Sequence, residues 1–220
     1  MAKLSGFFLR KGFLTPSLEK NRAKNKYLEA FGPKKLQSRA NPEMKKFLLI
    51  FLLLSSFLQS APIAYFSKKD QIAEELVSRI SLEQKTIRMA IFSLNHRKII
   101  KALLEAHKRG VSVELLVDPS SIRAGSSLMP LAEAGIPVLV FHPVIQGKKR
   151  PLMHHKFCLF GDKSLWTGSF NCTLAADRLN RENALLIDDK ELALQYLTEF
   201  KALKSESISI KQIEEKRMAR

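Results

Sequence analysis

Residues 154–171 read His-His-Lys-Phe-Cys-Leu-Phe-Gly-Asp-Lys-Ser-Leu-Trp-Thr-Gly-Ser-Phe-Asn, two extended segments joined by a turn. The first segment, Leu152 to Phe160, is rich in apolar and aromatic residues and predicts a strand, so side chains two apart share a face. His154 and Lys156 therefore point one way and His155 the other. The second segment, Leu165 to Asn171, also reads as extended, with Ser169 and Asn171 again two apart. Gly161-Asp162-Lys163-Ser164 between them has turn composition. A hairpin over this stretch brings the two pairs together.

The flanking sequence alternates. Asp70 to Ser81 carries Ile72, Ala73, Leu76, Val77 and Ile80 at helical spacing, with Asp70 placed as a cap. Thr86 to Leu94 predicts a strand, Arg97 to Lys108 a helix closed by Gly110, and Val111 to Val117 a strand. Ser126 to Ala134 predicts a helix, and Ile136 to Phe141 a third strand. Beyond the hairpin, Ala184 to Ile187 gives a last strand and Lys190 to Lys204 an amphipathic helix, with Ser205 to Arg220 left as a polar, frayed tail. The fold class is α/β: a mixed, largely parallel sheet flanked by helices.

The grouping of His154, Lys156, Ser169 and Asn171 suits attack on a phosphodiester. A neutral imidazole is a competent nucleophile, an ammonium neutralises phosphate charge, and a hydroxyl and a carboxamide donate to non-bridging oxygens. That set needs neither a metal nor an organic cofactor. Cys158 and Cys172 have no paired-ligand spacing with the histidines, and two buried thiols are expected in preference to zinc or a disulfide.

At these residues the sequence resembles the phospholipase D superfamily, whose signature is H-x-K-x4-D-x6-G-S-x-N. It is most similar to the single-motif members, small secreted or periplasmic bacterial endonucleases and mitochondrial cardiolipin hydrolases. The likeness continues through Thr173, Ala175, Asn180, Glu182 and Asn183. Upstream, residues 87–94 and 108–114 resemble the family's first strand-helix-strand unit, so the resemblance covers roughly residues 68–200. One position departs: the motif's Asp falls on Gly161, with Asp162 one place later.

The resemblance implies a phospholipase D-like fold and a phosphodiesterase without cofactor. It assigns His154, Lys156, Asn171 and Glu182 to catalysis, with Glu182 holding the catalytic histidine. Ser169 assists at the phosphate. Because the chain holds one motif, it implies a homodimer with two motifs meeting across a two-fold axis. One His154 attacks phosphorus while the other protonates the leaving group. Nucleic acid is the leading substrate, with phospholipid as the alternative and a non-catalytic nucleic-acid-binding protein as the third reading.

Charge and the remaining segments bear on the substrate. The chain has 220 residues and a formal charge of +16, of which residues 1–60 carry +9 and the rest +7. A basic domain favours a polyanion or an anionic membrane surface. Lys148, Lys149 and Arg150 form a basic loop running into the catalytic strand and are candidates for gripping phosphate. Arg123, in the loop after Val117, is a weaker candidate. His96 and His107 read as helix-surface residues.

Met44-Lys45-Lys46, the apolar run Phe47 to Leu58 and Gln59-Ser60-Ala61 have the three parts of a secretory signal peptide, with cutting expected after Ser60. Twelve residues of helix span only about 18 Å, so cleavage and export are favoured over crossing the membrane. The alternative is a retained anchor over residues 47–66. Residues 1–43 are basic and without period, and Met44 is the expected true start. The expected organisation is thus 1–43 extension, 44–60 signal peptide or anchor, 61–204 catalytic domain and 205–220 tail.

Overall fold

A computed structural model describes residues 41–43, 46–47, 60–122, 127–145 and 149–218. The chain divides into two units, Met1–Leu58 and Gln59–Arg220, and the second carries the fold. The basic extension and nearly all of the signal or anchor segment lie outside the described residues, as do Arg123 and Lys148.

Among its described residues the second unit has eight strands: β1 (Ile63–Phe66), β2 (Thr86–Ile91), β3 (Ser112–Val117), β4 (Val138–Phe141), β5 (Lys156–Phe160), β6 (Ser164–Gly168), β7 (Asn183–Asp188) and β8 (Ser207–Ser209). Its helices are α1 (Ile72–Leu82), α2 (Arg97–Lys108), α3 (Met129–Glu133), α4 (Leu174–Arg178), α5 (Lys190–Ser205) and α6 (Ile210–Met218). One sheet holds all eight strands in the order β1-β7-β6-β5-β2-β3-β4-β8.

The mixed α/β class holds, with less parallel pairing than expected. Among the described strands only β2–β3 and β3–β4 pair in parallel, because only there does a helical crossover join strands that are neighbours in the sheet; α1 and α5 join strands that lie apart. The β5–β6 hairpin is antiparallel, with Phe157 opposite Thr167 and Phe160 opposite Ser164. The pairs β6–β7, β1–β7, β2–β5 and β4–β8 are antiparallel as well.

Both faces of the central strands are buried, and their residues alternate between two apolar layers. Ile87, Met89 and Ile91 of β2, Val113, Leu115 and Val117 of β3, and Cys158 and Phe160 of β5 face one layer, where Leu76, Ile80, Ile99 and Leu103 from α1 and α2 pack. Ala90, Leu116, Phe157 and Leu159 face the other, which is covered by Ala193, Phe200 and Leu203 of α5. Two-sided burial explains why these strands read as nearly continuous apolar runs.

Several boundaries differ from the expectation for identifiable reasons. Asp70 does not cap α1; its Oδ2 accepts the Phe66 N–H at 2.9 Å and closes the turn between β1 and α1. His96 is 3% exposed at the start of α2, with Nε2 3.3 Å from Asp177 Oδ2, because the sheet and α4 close over it. The tail is folded: Ile208 of β8 pairs with Val140, and Ile210 of α6 is buried in the main core. Ile63–Phe66, the last part of the alternative membrane anchor, pairs with β7, and Tyr65 stacks on Trp166 at 5.3 Å. A strand cannot also be the end of a membrane-spanning helix. Among the described residues no helix is long and apolar enough to cross a membrane.

Candidate active site

The parallel strands β2, β3 and β4 run to a common edge at Ile91, Val117 and Phe141, and β6 reaches the same edge at Gly168. Their antiparallel neighbours β5 and β7 begin there, at Lys156 and Asn183. Loops beyond the carboxyl ends of parallel strands are where open α/β sheets gather chemical groups. His154, Lys156, Ser169, Asn171 and Glu182 all belong to this edge.

His154 and Lys156 share a side, as the two-residue spacing predicts. Lys156 Nζ lies 3.2 Å from His154 Nδ1 and donates to the His154 carbonyl at 2.8 Å. Phe92, the first residue beyond β2, braces both. Its ring centroid is 4.5 Å from that of His154 and 5.3 Å from Lys156 Nζ. The ladder proper starts at Lys156, and a bond from the Phe92 N–H to the His155 carbonyl at 2.8 Å holds the residues before it. His155 faces the opposite side, against Glu199 of α5 at 3.2 Å.

Burial lowers the pKa of Lys156 from the ordinary lysine value, and the charge of Glu182 opposes that shift. Glu182 therefore acts on the ammonium electrostatically. Its carboxylate accepts from Ser169 Oγ at 2.5 Å and from Asn180 Nδ2 at 2.9 Å. Expected to hold the histidine, Glu182 in this chain instead grips Ser169, because the entry into β7 lies beside β6 and not beside the start of β5. Gly168 makes that closeness possible. A Cβ there would lie 2.4 Å from the Asn183 carbonyl oxygen, inside any real contact distance.

Asn171 is half-buried, and its Oδ1 is buried with no hydrogen-bond partner among the described residues. Amide oxygen and nitrogen are assigned by their surroundings, so the same position presents a donor once the amide is turned. An unsatisfied amide at this edge is available to a ligand.

The basic loop divides. Arg150 is not free for substrate, since its guanidinium makes a two-pronged pair with Asp118, Nη1 to Oδ2 at 3.2 Å and Nη2 to Oδ1 at 3.1 Å. Asp118 is fully buried at the end of β3 and requires a counter-charge. Burial pushes its carboxyl pKa up, but Arg150 and the backbone N–H groups of Ser120 and Met153 outweigh this and hold it below the usual aspartate value. The Met153 N–H bond, 3.0 Å, fixes the residue just before His154. Lys149 is exposed.

Gly161, at the motif's Asp position, is in the turn at the far end of β5 with φ 62°. Five residue steps of strand, about 16 Å, separate it from Lys156. The departure is thus remote from the site. Cys158 and Cys172 are both buried free thiols. Phe92 and Asp118 are the site residues that sequence reasoning missed. Each is the first residue beyond a parallel strand, which is the signal that would have found them.

Imidazole, ammonium, hydroxyl and carboxamide groups gather at the ends of one mixed sheet, a set whose chemistry suits a phosphodiester. The chain belongs to the phospholipase D superfamily: the model of the family described as "Cardiolipin synthase, PLD-like domain" matches residues 76–204. A phospholipase D of Rickettsia felis is 32% identical over 66% of this chain and 70% of its own length. A mitochondrial cardiolipin hydrolase of Xenopus tropicalis is 33% identical over 61% of each chain. Among solved structures, the phospholipase D family member Nuc from Salmonella typhimurium superimposes with a TM-score of 0.60 at 27% identity, over 68% of this chain and 97% of Nuc. NucT from Helicobacter pylori gives 0.64 at 24% identity over 68% and 99%, a likeness of fold.

Proposed function

We propose that the protein hydrolyses phosphodiesters without a metal, through a phosphohistidine formed at a homodimeric site, with nucleic acid as the substrate. The pairing of His154 with Lys156 at the strand edge is the observation that carries this reading. In the first step a ring nitrogen of His154 bonds to phosphorus and the P–O bond to the leaving group breaks. The leaving oxygen takes its proton from His154 of the partner subunit. Water then attacks phosphorus, the P–N bond breaks, and the water's proton passes to that second imidazole. Lys156 and Asn171 hold the non-bridging oxygens, and Ser169 is oriented by Glu182.

The dimer follows from what one chain lacks. The side-chain partners of Glu182 are Ser169 and Asn180, and a single imidazole cannot be nucleophile and acid in one step. We assign Glu182 to the partner's His154, whose tautomer it would set. Two identical imidazoles in opposite protonation states give a bell-shaped pH–rate profile. Export with cleavage after Ser60 belongs to the same proposal, and amino-terminal sequencing of the native protein tests it.

A phospholipid is the second reading. The similarity to a phospholipase D and to a cardiolipin hydrolase favours it, as do the exposed apolar side chains of Val144, Ile145 and Leu152 beside the site. Purified protein assayed in EDTA on labelled DNA, RNA and phospholipid separates the readings. His154→Ala should reduce turnover of the true substrate by at least about a thousandfold. Full activity in that variant, or abolition by EDTA, would overturn the mechanism. An active monomer would overturn the shared site.

A further inference from the structure

A cavity of about 410 Å³ opens beside the catalytic edge, between the turn that follows β1 and helix α4. Three cations line it, Lys68, Lys69 and Arg178, against two carboxylates, Asp70 and Asp177. The carboxylates are already engaged: Asp70 accepts the Phe66 N–H at 2.9 Å, and Asp177 lies 3.3 Å from His96 Nε2. The side chains of Lys69 and Arg178 have no partner among the described residues, and both are exposed. Lys68 bonds to the Arg178 carbonyl, so turn and helix are tied across the cavity mouth. Its φ of 76° is a conformation that glycine takes at less cost, yet the position holds a lysine.

The cavity is built into the site's framework. Phe170, one of its walls, stands between Ser169 and Asn171 in the chain. Ser67, directly before the two lysines, donates its N–H to the Glu182 carbonyl at 3.0 Å and accepts the Glu182 N–H on Oγ at 2.7 Å. Its hydroxyl also donates to the Asn180 carbonyl at 2.9 Å. The cation-bearing turn and the strand entry that carries Glu182 therefore form one hydrogen-bonded unit.

We infer that this cavity is a second phosphate subsite, which holds a neighbouring phosphate of the same substrate molecule while His154 acts on the scissile one. The inference rests on the phosphodiesterase reading above. A cluster of three cations around a polar hollow recognises a phosphate oxyanion. The volume admits a phosphate with its attached sugar or glycerol. A nucleic-acid strand supplies such a phosphate at every step, and a lipid with two phosphates supplies one. The charges at the cavity should thus sort substrates by phosphate number, while the chemistry at the scissile bond stays the same.

The test compares the full chain with the double variant Lys69→Ala, Arg178→Ala on substrates with one phosphate and with several. For the small diester bis(p-nitrophenyl) phosphate, kcat/KM should be unchanged. For a single-stranded oligonucleotide it should fall at least about tenfold, with a salt dependence shallower by roughly 0.7 to 1.4 in log–log slope, as one or two phosphate contacts are lost. If the wild-type protein leaves nucleic acid intact but cleaves the small diester, cardiolipin against phosphatidylglycerol provides the same contrast. An unchanged melting temperature in the variant shows that the fold is kept. An equal loss on small and large substrates, or no loss on either, would overturn the subsite. Failure of wild-type protein to cleave any diester would instead strike the phosphodiesterase reading.

Discussion

Replacing Asp118 with asparagine tests whether a buried ion pair holds the catalytic segment in place. The wild-type carboxylate accepts four hydrogen bonds, two from Arg150 and one each from the backbone N–H groups of Ser120 and Met153. An asparagine keeps the shape, but its NH2 must face one of these donors, and Arg150 loses its counter-charge. Breaking a buried pair by removing one partner costs about 3–5 kcal/mol. Arg150 is 32% exposed and can recover part of its hydration, so about 3 kcal/mol is the expected loss. For a fold of this size that lowers the melting temperature by roughly 6–12 °C. The folded carboxyl titrates below its usual value, so its contribution is complete above about pH 4 and disappears as the pH falls through the lower folded value. Thermal unfolding of wild type and Asp118→Asn, followed by circular dichroism at pH 7 and near pH 3, should show a gap that narrows in acid. Because the Met153 N–H bond orients the residue before His154, turnover below the melting transition should also fall about tenfold. A gap under about 2 °C at pH 7, or one that does not change in acid, would refute the argument.

Gly168→Ala places a methyl group 2.4 Å from the Asn183 carbonyl oxygen and should cost about 3 kcal/mol in chemical denaturation while separating Ser169 from Glu182. Gly161→Asp restores the motif residue where a Cβ would meet only the Glu83 carboxylate, at 3.7 Å, a contact that fits sterically but sets two like charges near each other. It should leave turnover unchanged and cost about 1 kcal/mol for the positive φ, measured by paired activity and melting assays. Cys158 and Cys172 should resist a thiol reagent in native protein and react on unfolding, since burial pushes Cys172 up to about 12 and Cys158 well above an ordinary thiol. Rapid labelling of both at neutral pH in native protein would contradict their burial.

Much of the site was legible because a strand has a strict period. His154 and Lys156 had to share a face and His155 had to leave it, whereas Ser169 and Asn171 lie beyond the end of β6 at Gly168, where the strand period no longer applies. The helix over Arg97–Lys108 was equally plain, with Ile99, Ile100, Leu103 and Ala106 on one side and Gly110 beyond the end. What sequence could not supply were partners brought together by the sheet order. Arg150 resembles any other loop cation until Asp118, the first residue beyond β3, is placed beneath it, 32 residues away in the chain. His96 looked exposed because its cover, Asp177 of α4, is 81 residues distant. The carboxyl-terminal strand was missed for a different reason. Ser207-Ile208-Ser209-Ile210 alternates correctly, but it is too short to stand out from its polar neighbours.

The family's shared portion, residues 76–204, begins inside α1 and ends one residue before the end of α5. It contains neither β1 nor β8, the two outermost strands of the sheet. Trimmed to that portion, the protein would lose the strip beside β7 and the strip beside β4 together, leaving raw main-chain donors and acceptors on both flanks. Such flanks recruit one another between molecules, so the shortened fragment is expected to clump rather than refold. The smallest soluble form should therefore extend from about Ile63 to Met218, with its outer strands serving as selvedges that keep the sheet from being extended by its own copies.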